Sequence, residues 1–173
     1  MSVNTVSAEV PDWSREAKAF LAWLPSRSLL ASIRTYERCA ESRNPWAMLP
    51  RRLAVLRYRF WSVVAGADIP INSHIGGGLL LPHPNGIVIH PDARIGPNCL
   101  IFQQVTIGTR GDGGAPSIGG HVDIGAGAKI LGPVKIGNHV VIGANAVVML
   151  DVPDNCMAVG IPAVVKPRSD SCA

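Results

Sequence analysis

A chain of 173 residues, 47% hydrophobic and 16% charged, has room for one domain or for one domain with an appended arm. That balance excludes a disordered chain, and no apolar run approaches the length that spans a bilayer. The formal charge of +4 sits in the first part alone, where residues 1–65 hold ten Lys/Arg against five Asp/Glu and the remainder holds six against seven.

Composition divides at the same place. All 18 glycines lie at or beyond Gly66, and eight of the nine aromatic residues precede it. Two kinds of local physics therefore meet near residues 65–68. Residues 1–66 read as an N-terminal helical arm, 67–165 as a β domain and 166–173 as an exposed tail.

Within the arm, residues 12–24 show helical spacing, with Trp13, Ala17, Phe20, Leu21 and Leu24 on one side and Asp12 or Ser14 as N-cap. Residues 26–42 make a second helix capped by Ser26 or Ser28, with Leu29, Leu30, Ile33 and Tyr36 apolar. Asn44-Pro45 and Leu49-Pro50 punctuate the chain before a third helix over 51–65. That helix carries Arg51, Arg52, Arg57 and Arg59 beside Phe60 and Trp61. It could make peripheral contact with an anionic membrane surface, or present a solvated basic face while capping the open end of the next domain.

Beyond the seam an aliphatic residue returns every six positions: Ile69, Ile75, Leu81, Ile87 in one frame, then Ile89, Ile95, Ile101, Ile107, and again Ile118, Ile124, Ile130, Ile136, Ile142, Val148. A small or aliphatic residue commonly follows four later, as with Ala93, Val105, Val122, Ala128, Val134, Val140 and Ala146. Six fits neither the 3.6-residue helical period nor simple strand alternation. It fits short strands joined by tight turns and stacked as the coils of a parallel β-helix. A sandwich of short strands would place turn signals every 8–12 residues instead. The period fails twice. Two residues are added near His83-Pro84-Asn85-Gly86, and Thr109–Ser117 is extruded between Ile107 and Ile118. Loops on a rigid wall are where a site is built.

The four cysteines (Cys39, Cys99, Cys156, Cys172) show no CxxC or Cys/His ligand spacing, and the five histidines show no i, i+4 pair, so no metal is expected. Met1–Asp12 lacks the basic and apolar regions of a signal peptide, and a cytoplasmic protein with reduced thiols is the expectation. The near-neutral second part, with Phe102 as its one aromatic, is no nucleic-acid groove. His83, in an exposed turn, is the candidate general base. Asp68 lies fifteen residues earlier, close to one coil of about eighteen below it. A carboxylate on one imidazole nitrogen fixes the tautomer and raises the basicity of the other.

The run from Asp68 to Ala163 resembles the serine acetyltransferase family of hexapeptide-repeat acyltransferases. The resemblance rests on Leu79-Leu80-Leu81-Pro82-His83-Pro84-Asn85-Gly86-Ile87-Val88-Ile89, Gln104-Val105-Thr106-Ile107-Gly108, Ile124-Gly125-Ala126-Gly127-Ala128-Lys129-Ile130-Leu131-Gly132, Ile142-Gly143-Ala144 and Gly160-Ile161-Pro162-Ala163. It implies a mainly β protein, a left-handed parallel β-helix, against the usual right-handed crossover. It also implies a homotrimer, or a dimer of trimers, with sites between subunits. The reaction implied is direct acetyl transfer from acetyl-CoA to a hydroxyl. By motif, His83 matches the base, Asp68 its orienting carboxylate, and Gly108-Thr109 the region near the thioester. Ala126 and Ala144 match the wall along which pantetheine lies, and Lys166 or Arg168 could meet the nucleotide phosphates.

Three departures bear on the acceptor. Ala115 stands before Pro116 where serine-using members have a histidine, and the extruded loop is shorter. Pro82 stands where Asp usually precedes the base. The helical region is much shorter than in the cysteine-biosynthetic enzymes, and the sequence does not end in the isoleucine that docks into their partner sulfhydrylase. The pattern is similar to the branch that acetylates sugars in exopolysaccharide or capsule synthesis. Three readings stand open: O-acetylation of a sugar or of serine, N-acetylation of an amino sugar, and a catalytically silent scaffold.

Overall fold

A computed structural model describes residues 6–19, 22–42 and 45–168. Phe20, Leu21, Asn44 and Cys172 lie outside the described residues.

The six-residue period is realised as a three-faced coil. One face stacks β1 (His74–Ile75), β3 (Arg94–Ile95), β6 (Ser117–Ile118) and β9 (Lys135–Ile136). The second stacks β4 (Leu100–Ile101), β7 (Asp123–Ile124), β10 (Val141–Ile142) and β12 (Cys156–Val159). The third stacks β2 (Val88–Ile89), β5 (Thr106–Gly108), β8 (Lys129–Leu131) and β11 (Val147–Val148). All these pairings are parallel, and each sets aliphatic on aliphatic: Ile95 on Ile118, Ile101 on Ile124, Ile107 on Ile130. These side chains point inward and are buried, as are Ala93, Val105, Val122, Ala128, Val140 and Ala146 at the corners. Period and burial agree because a strand of two or three residues exposes one side chain and buries the next.

The corners demand unusual backbone. Between the first and second faces, Asn98, His121, His139 and Asn155 adopt φ of 60°, 52°, 56° and 55°. Asn tolerates that left-handed conformation readily, and histidine does so more than most residues. Elsewhere the coils approach too closely for any side chain: a Cβ on Gly96 would lie 2.5 Å from the Gly119 carbonyl carbon. The coil closes with β13 (Val164–Pro167), which turns back antiparallel along β12 and sets Lys166 opposite Met157. Regular structure therefore runs two residues past the expected boundary at 165.

The arm departs from expectation in two places. Residues 12–24 do not form one helix. Asp12 caps a single 3-10 turn, Trp13–Glu16, and Ala17 then leaves helical geometry. Long-range bonds claim this segment: the Asp12 N–H donates to Asn98 Oδ1 at 2.8 Å, and Glu16 accepts from the Leu79 N–H at 3.1 Å and from Arg34. The second correction concerns the cap of the coil. α1 (Pro25–Glu41) places Leu29, Leu30 and Ile33 in the same buried cluster as Ile69, Ile75, Leu79 and Leu81. α1 supplies most of the closure of the open end, with Pro25 in its first turn and no serine side-chain cap, and the third helix shares in it through Ala65, Tyr58 and Trp61. α2 (Met48–Ala65) begins three residues before the expected start, buries only Ala54 and Ala65, and ends at Gly66, φ 63°, whose left-handed backbone turns the chain into the coil.

Candidate active site

Both breaks in the period fall at corners, and at different ones. The two added residues widen the corner between the second and third faces, where the turn at 82–86 carries His83 with its ring exposed. Coil spacing here is twenty residues, since Asp68 bridges Val88 and Ile75 pairs Ile95. The extruded segment leaves β5 at the opposite edge of the third face, with Thr109–Gly114 exposed, Ala115 half-buried against the core and Pro116 buried.

Above His83 its corner continues as a column. The Gln104 N–H donates to the Asn85 carbonyl, Gly127 to Gln103, and Asn145 to Ala126, each near 2.8–2.9 Å. These bonds stack Gln103, Ala126 and Ala144 in successive coils, with His83 at the foot. Small side chains at Ala126 and Ala144 leave a shallow, partly exposed track along this edge. The chain then turns at Gly160–Ala163 and runs back as β13, which brings Lys166 onto the second face opposite Met157. Arg168 belongs elsewhere, at the neighbouring corner, where its guanidinium reaches the His139 carbonyl at 3.4 Å.

Asp68 stands at the foot of the third face, exposed, with its N–H donating to Ile87 O at 2.8 Å and its carbonyl accepting from Ile89 N at 2.9 Å. It registers with Val88, five residues past His83, and no hydrogen bond joins the two side chains. Its charge is felt by Tyr58, whose hydroxyl pKa is raised by burial first and by Asp68 second. Gly108 and Thr109 lie across the third face from His83, at the root of the extruded loop. One chain thus brings His83, Ala126 and Ala144 to one edge, and Gly108-Thr109 to the next.

Two residues not singled out from the sequence bear on this column, Gln103 within it and Lys129 reaching it from the third face. Gln103 has its buried side-chain carbonyl oxygen without a hydrogen-bond partner. Lys129 lays its ammonium against the Gln104 and Gly127 carbonyls at 3.1 and 2.7 Å. Gln103 lies twenty residues after His83, one local coil, so register counting from the first break could have found it, whereas Lys129 registers with Thr106 and Val147, so counting from the singled-out residues does not reach it. Among the described residues, no group of three or more His, Cys, Asp or Glu is placed to hold a metal.

A three-faced coil built on six-residue repeats defines the class of hexapeptide-repeat proteins. The model of that class, described as bacterial transferase hexapeptide (six repeats), matches residues 115–149. Relatives narrow it. The serine acetyltransferase of Mycobacterium tuberculosis is 41% identical over 127 residues, which are 72% of this chain and 56% of the relative. A soybean serine acetyltransferase solved in complex with serine aligns with a TM-score of 0.61 at 34% identity, covering 80% of this chain and 70% of that one. A serine acetyltransferase solved in complex with CoA aligns with a TM-score of 0.68 at 34% identity, covering 84% and 59%. The chain belongs to the serine acetyltransferase family with hexapeptide repeats, and its coil is the family's left-handed β-helix. It spans about half the length of the curated relatives it matches.

Proposed function

We propose that this protein is an acetyl-CoA-dependent O-acetyltransferase that moves acetyl directly to an acceptor hydroxyl. The observation that carries the reading is the column on one edge of the coil, with an exposed imidazole at its foot and a track of small residues above it. In this reading pantetheine lies along Ala126 and Ala144, and Lys166 meets the nucleotide phosphates. Small side chains allow an extended chain to pack against backbone, and a lysine near the top supplies a point charge for phosphate.

His83 takes the proton from the acceptor hydroxyl as its oxygen attacks the thioester carbonyl. The oxyanion that forms needs a preorganised donor, and the backbone at Gly108-Thr109 is the candidate. Collapse expels the CoA thiolate, which regains the proton from His83, leaving an O-acetyl ester and free thiol. In this reading Asp68, which makes no hydrogen bond to His83 in the single chain, turns to bond the imidazole and fix its tautomer. Because His83 and Gly108-Thr109 occupy two different edges, a homotrimer that sets one chain's His83 edge against its neighbour's loop edge would complete three sites. A pair of such trimers remains part of this reading.

For the acceptor we favour a sugar hydroxyl of an exopolysaccharide or capsule, because Ala115 and Pro82 replace residues that serine-using members carry. Serine is the second reading, favoured by the relatives named serine acetyltransferase and by the soybean structure complexed with serine. The test is thiol release from acetyl-CoA against serine, a panel of sugars and an amino sugar. Turnover with serine alone removes the sugar reading, and amide formation on the amino sugar moves the reaction to N-acetylation. The variant His83→Ala should lower kcat about 10²–10⁴-fold with CoA binding retained. Undiminished turnover in that variant removes His83 as the base, and absent thiol release with every acceptor leaves a silent scaffold.

A further inference from the structure

We propose that α2 docks this protein on an anionic lipid surface. The inference is independent of the acetyl-transfer reading. It begins from an apolar face that covers none of the described residues. Leu49, Leu53, Leu56, Phe60 and Val63 are 77%, 55%, 64%, 55% and 83% exposed. Their spacing of four, three, four and three residues gathers them into one stripe about 80° wide on a helix of 3.6 residues per turn. The opposite side of α2 carries buried Ala54 and Ala65 and half-buried Tyr58 and Trp61, so it is that side which faces the protein. At the coil's open end α2 contributes only Ala65, Tyr58 and Trp61, all on this inner side, while α1 supplies Leu29, Leu30 and Ile33.

Charge identifies the occupant. Arg52 and Arg59 flank the stripe on one side and Arg57 on the other, all exposed. Residues 48–65 contain no Asp or Glu, and these three arginines form no ion pair among the described residues. Parallel packing of this seam on a second copy would set Arg52 against the partner's Arg57, five residues apart, which is the flanking contact that fixes coiled-coil partners. Like charges there disfavour self-association, and a negatively charged surface relieves them. The apolar surface also continues sideways to Trp23, 69% exposed and edge-on to Trp61 at 5.3 Å. That is broader than the stripe one partner helix covers, and aromatic side chains suit the headgroup boundary. No helix among the described residues is long and apolar enough to cross a membrane, so α2 would lie flat, its apolar side toward the acyl chains and its arginines among the headgroups.

Flotation of the full chain with phosphatidylcholine vesicles, with and without one quarter phosphatidylglycerol, tests the proposal. The chain should float with the anionic vesicles only, and should release as salt rises. Each of Arg52→Gln, Arg57→Gln and Arg59→Gln should lower partitioning about fivefold. Leu56→Gln and Phe60→Gln, at exposed positions, should lower it with the mass in solution unchanged. Three results overturn it: no flotation with anionic vesicles, variants that float as well as the unaltered chain, or Leu56→Gln splitting the assembly into smaller units. Failure to float together with capture of an acidic amphipathic peptide also overturns it, and assigns the seam to a protein.

Discussion

Ile124 in the coil and Arg34 in the arm are both buried, but they are held in different ways. Ile124 lies between Ile101 below and Ile142 above, each in the same register and each doing the same job. Arg34 is held by unlike partners. Its guanidinium binds Glu16 at 3.0 and 3.2 Å, Glu37 at 3.2 Å, and the Ile75 and Gly76 carbonyls at 2.7 Å each, with the Trp13 ring 5.4 Å away. One side chain thereby ties the 3-10 turn, α1 and the first coil together. Burial alone would depress its pKa, yet the two carboxylates keep the charge and leave the pKa raised. Repetition spreads stability over many equal contacts. The arm concentrates it in a few that have no substitute.

The sharpest way to break this comparison is Arg34→Ala. It leaves Glu16 uncompensated and two carbonyls unpaired, at a cost of about 3–5 kcal/mol. Ile124→Ala should cost about 2–5 kcal/mol, and Ile124→Val about 0.5–1.5 kcal/mol. Urea unfolding followed by tryptophan emission measures both, and amide exchange separates them. Arg34→Ala should strip protection from the arm while the amides around Ile124 and Ile142 stay protected. Ile124→Ala should lower protection in the coils on either side. If Arg34→Ala deprotects the whole coil, the two regions are one cooperative unit and the contrast fails.

Asn98 joins the two regions at another point, and its loss should cost less. Fully buried at φ 60°, it donates to the Ser7 and Val10 carbonyls at 2.7 and 2.8 Å and accepts from the Asp12 N–H at 2.8 Å. Asn98→Ala gives up those bonds and places an ordinary residue in left-handed backbone, an expected loss of about 1–3 kcal/mol. Limited proteolysis should then cut within residues 6–12 first. Unchanged resistance there would mean that the strap is held by something other than Asn98.

Counting alone made the coil legible. Both breaks in the period are visible in the sequence, because a missed isoleucine at a fixed interval needs no knowledge of contacts. Which edge each break occupies was not visible, since that depends on where each short strand ends. The expected stacking of Asp68 under His83 assumed an eighteen-residue coil, whereas the widened corner makes that coil twenty, so Asp68 registers with Val88. In the arm, residues 12–24 carry a helical pattern that local propensity would honour. Glu16 and Asp12 are instead recruited by Arg34, Leu79 and Asn98, partners at least 18 positions away that no local pattern encodes. The apolar positions of α1 were readable as well, but not that they meet the end of the coil. A search for i, i+4 histidines likewise missed His121 and His139. Their separation of eighteen is one coil, and it brings their Nδ1 atoms within 2.8 Å.

Within the coil, thiol chemistry offers a smaller test of how tightly the repeat is closed. Cys99 is fully buried, and burial pushes its pKa up to about 11, with the nearby Asp123 adding to the rise. Cys39 and Cys156 are half-buried. At pH 8 a maleimide should label Cys39 and Cys156 while leaving Cys99 unmodified until urea opens the coil, because the thiolate is the reactive form. Labelling of Cys99 in the absence of denaturant would show that the coil opens locally.

The smallest effect expected comes from the two corner histidines. His121 and His139 meet edge to face with Nδ1 atoms 2.8 Å apart, so one ring must donate and the other accept. A second proton would leave two donors facing each other. Burial holds the pKa of His121 below 6.5, Asp123 opposes that shift, and His139, Arg15 and Arg168 reinforce it. The folded chain therefore binds this proton less readily than the unfolded chain does. Stability from the pair is fully present above pH 6.5 and declines as the pH falls below that value, through the lowered folded-state pKa. Urea midpoints measured between pH 7.5 and 5 should fall in the unaltered chain and fall less in His121→Gln, whose amide can still bond His139 but gains no charge. Equal slopes in the two proteins would mean that the pair does not couple the corner to pH.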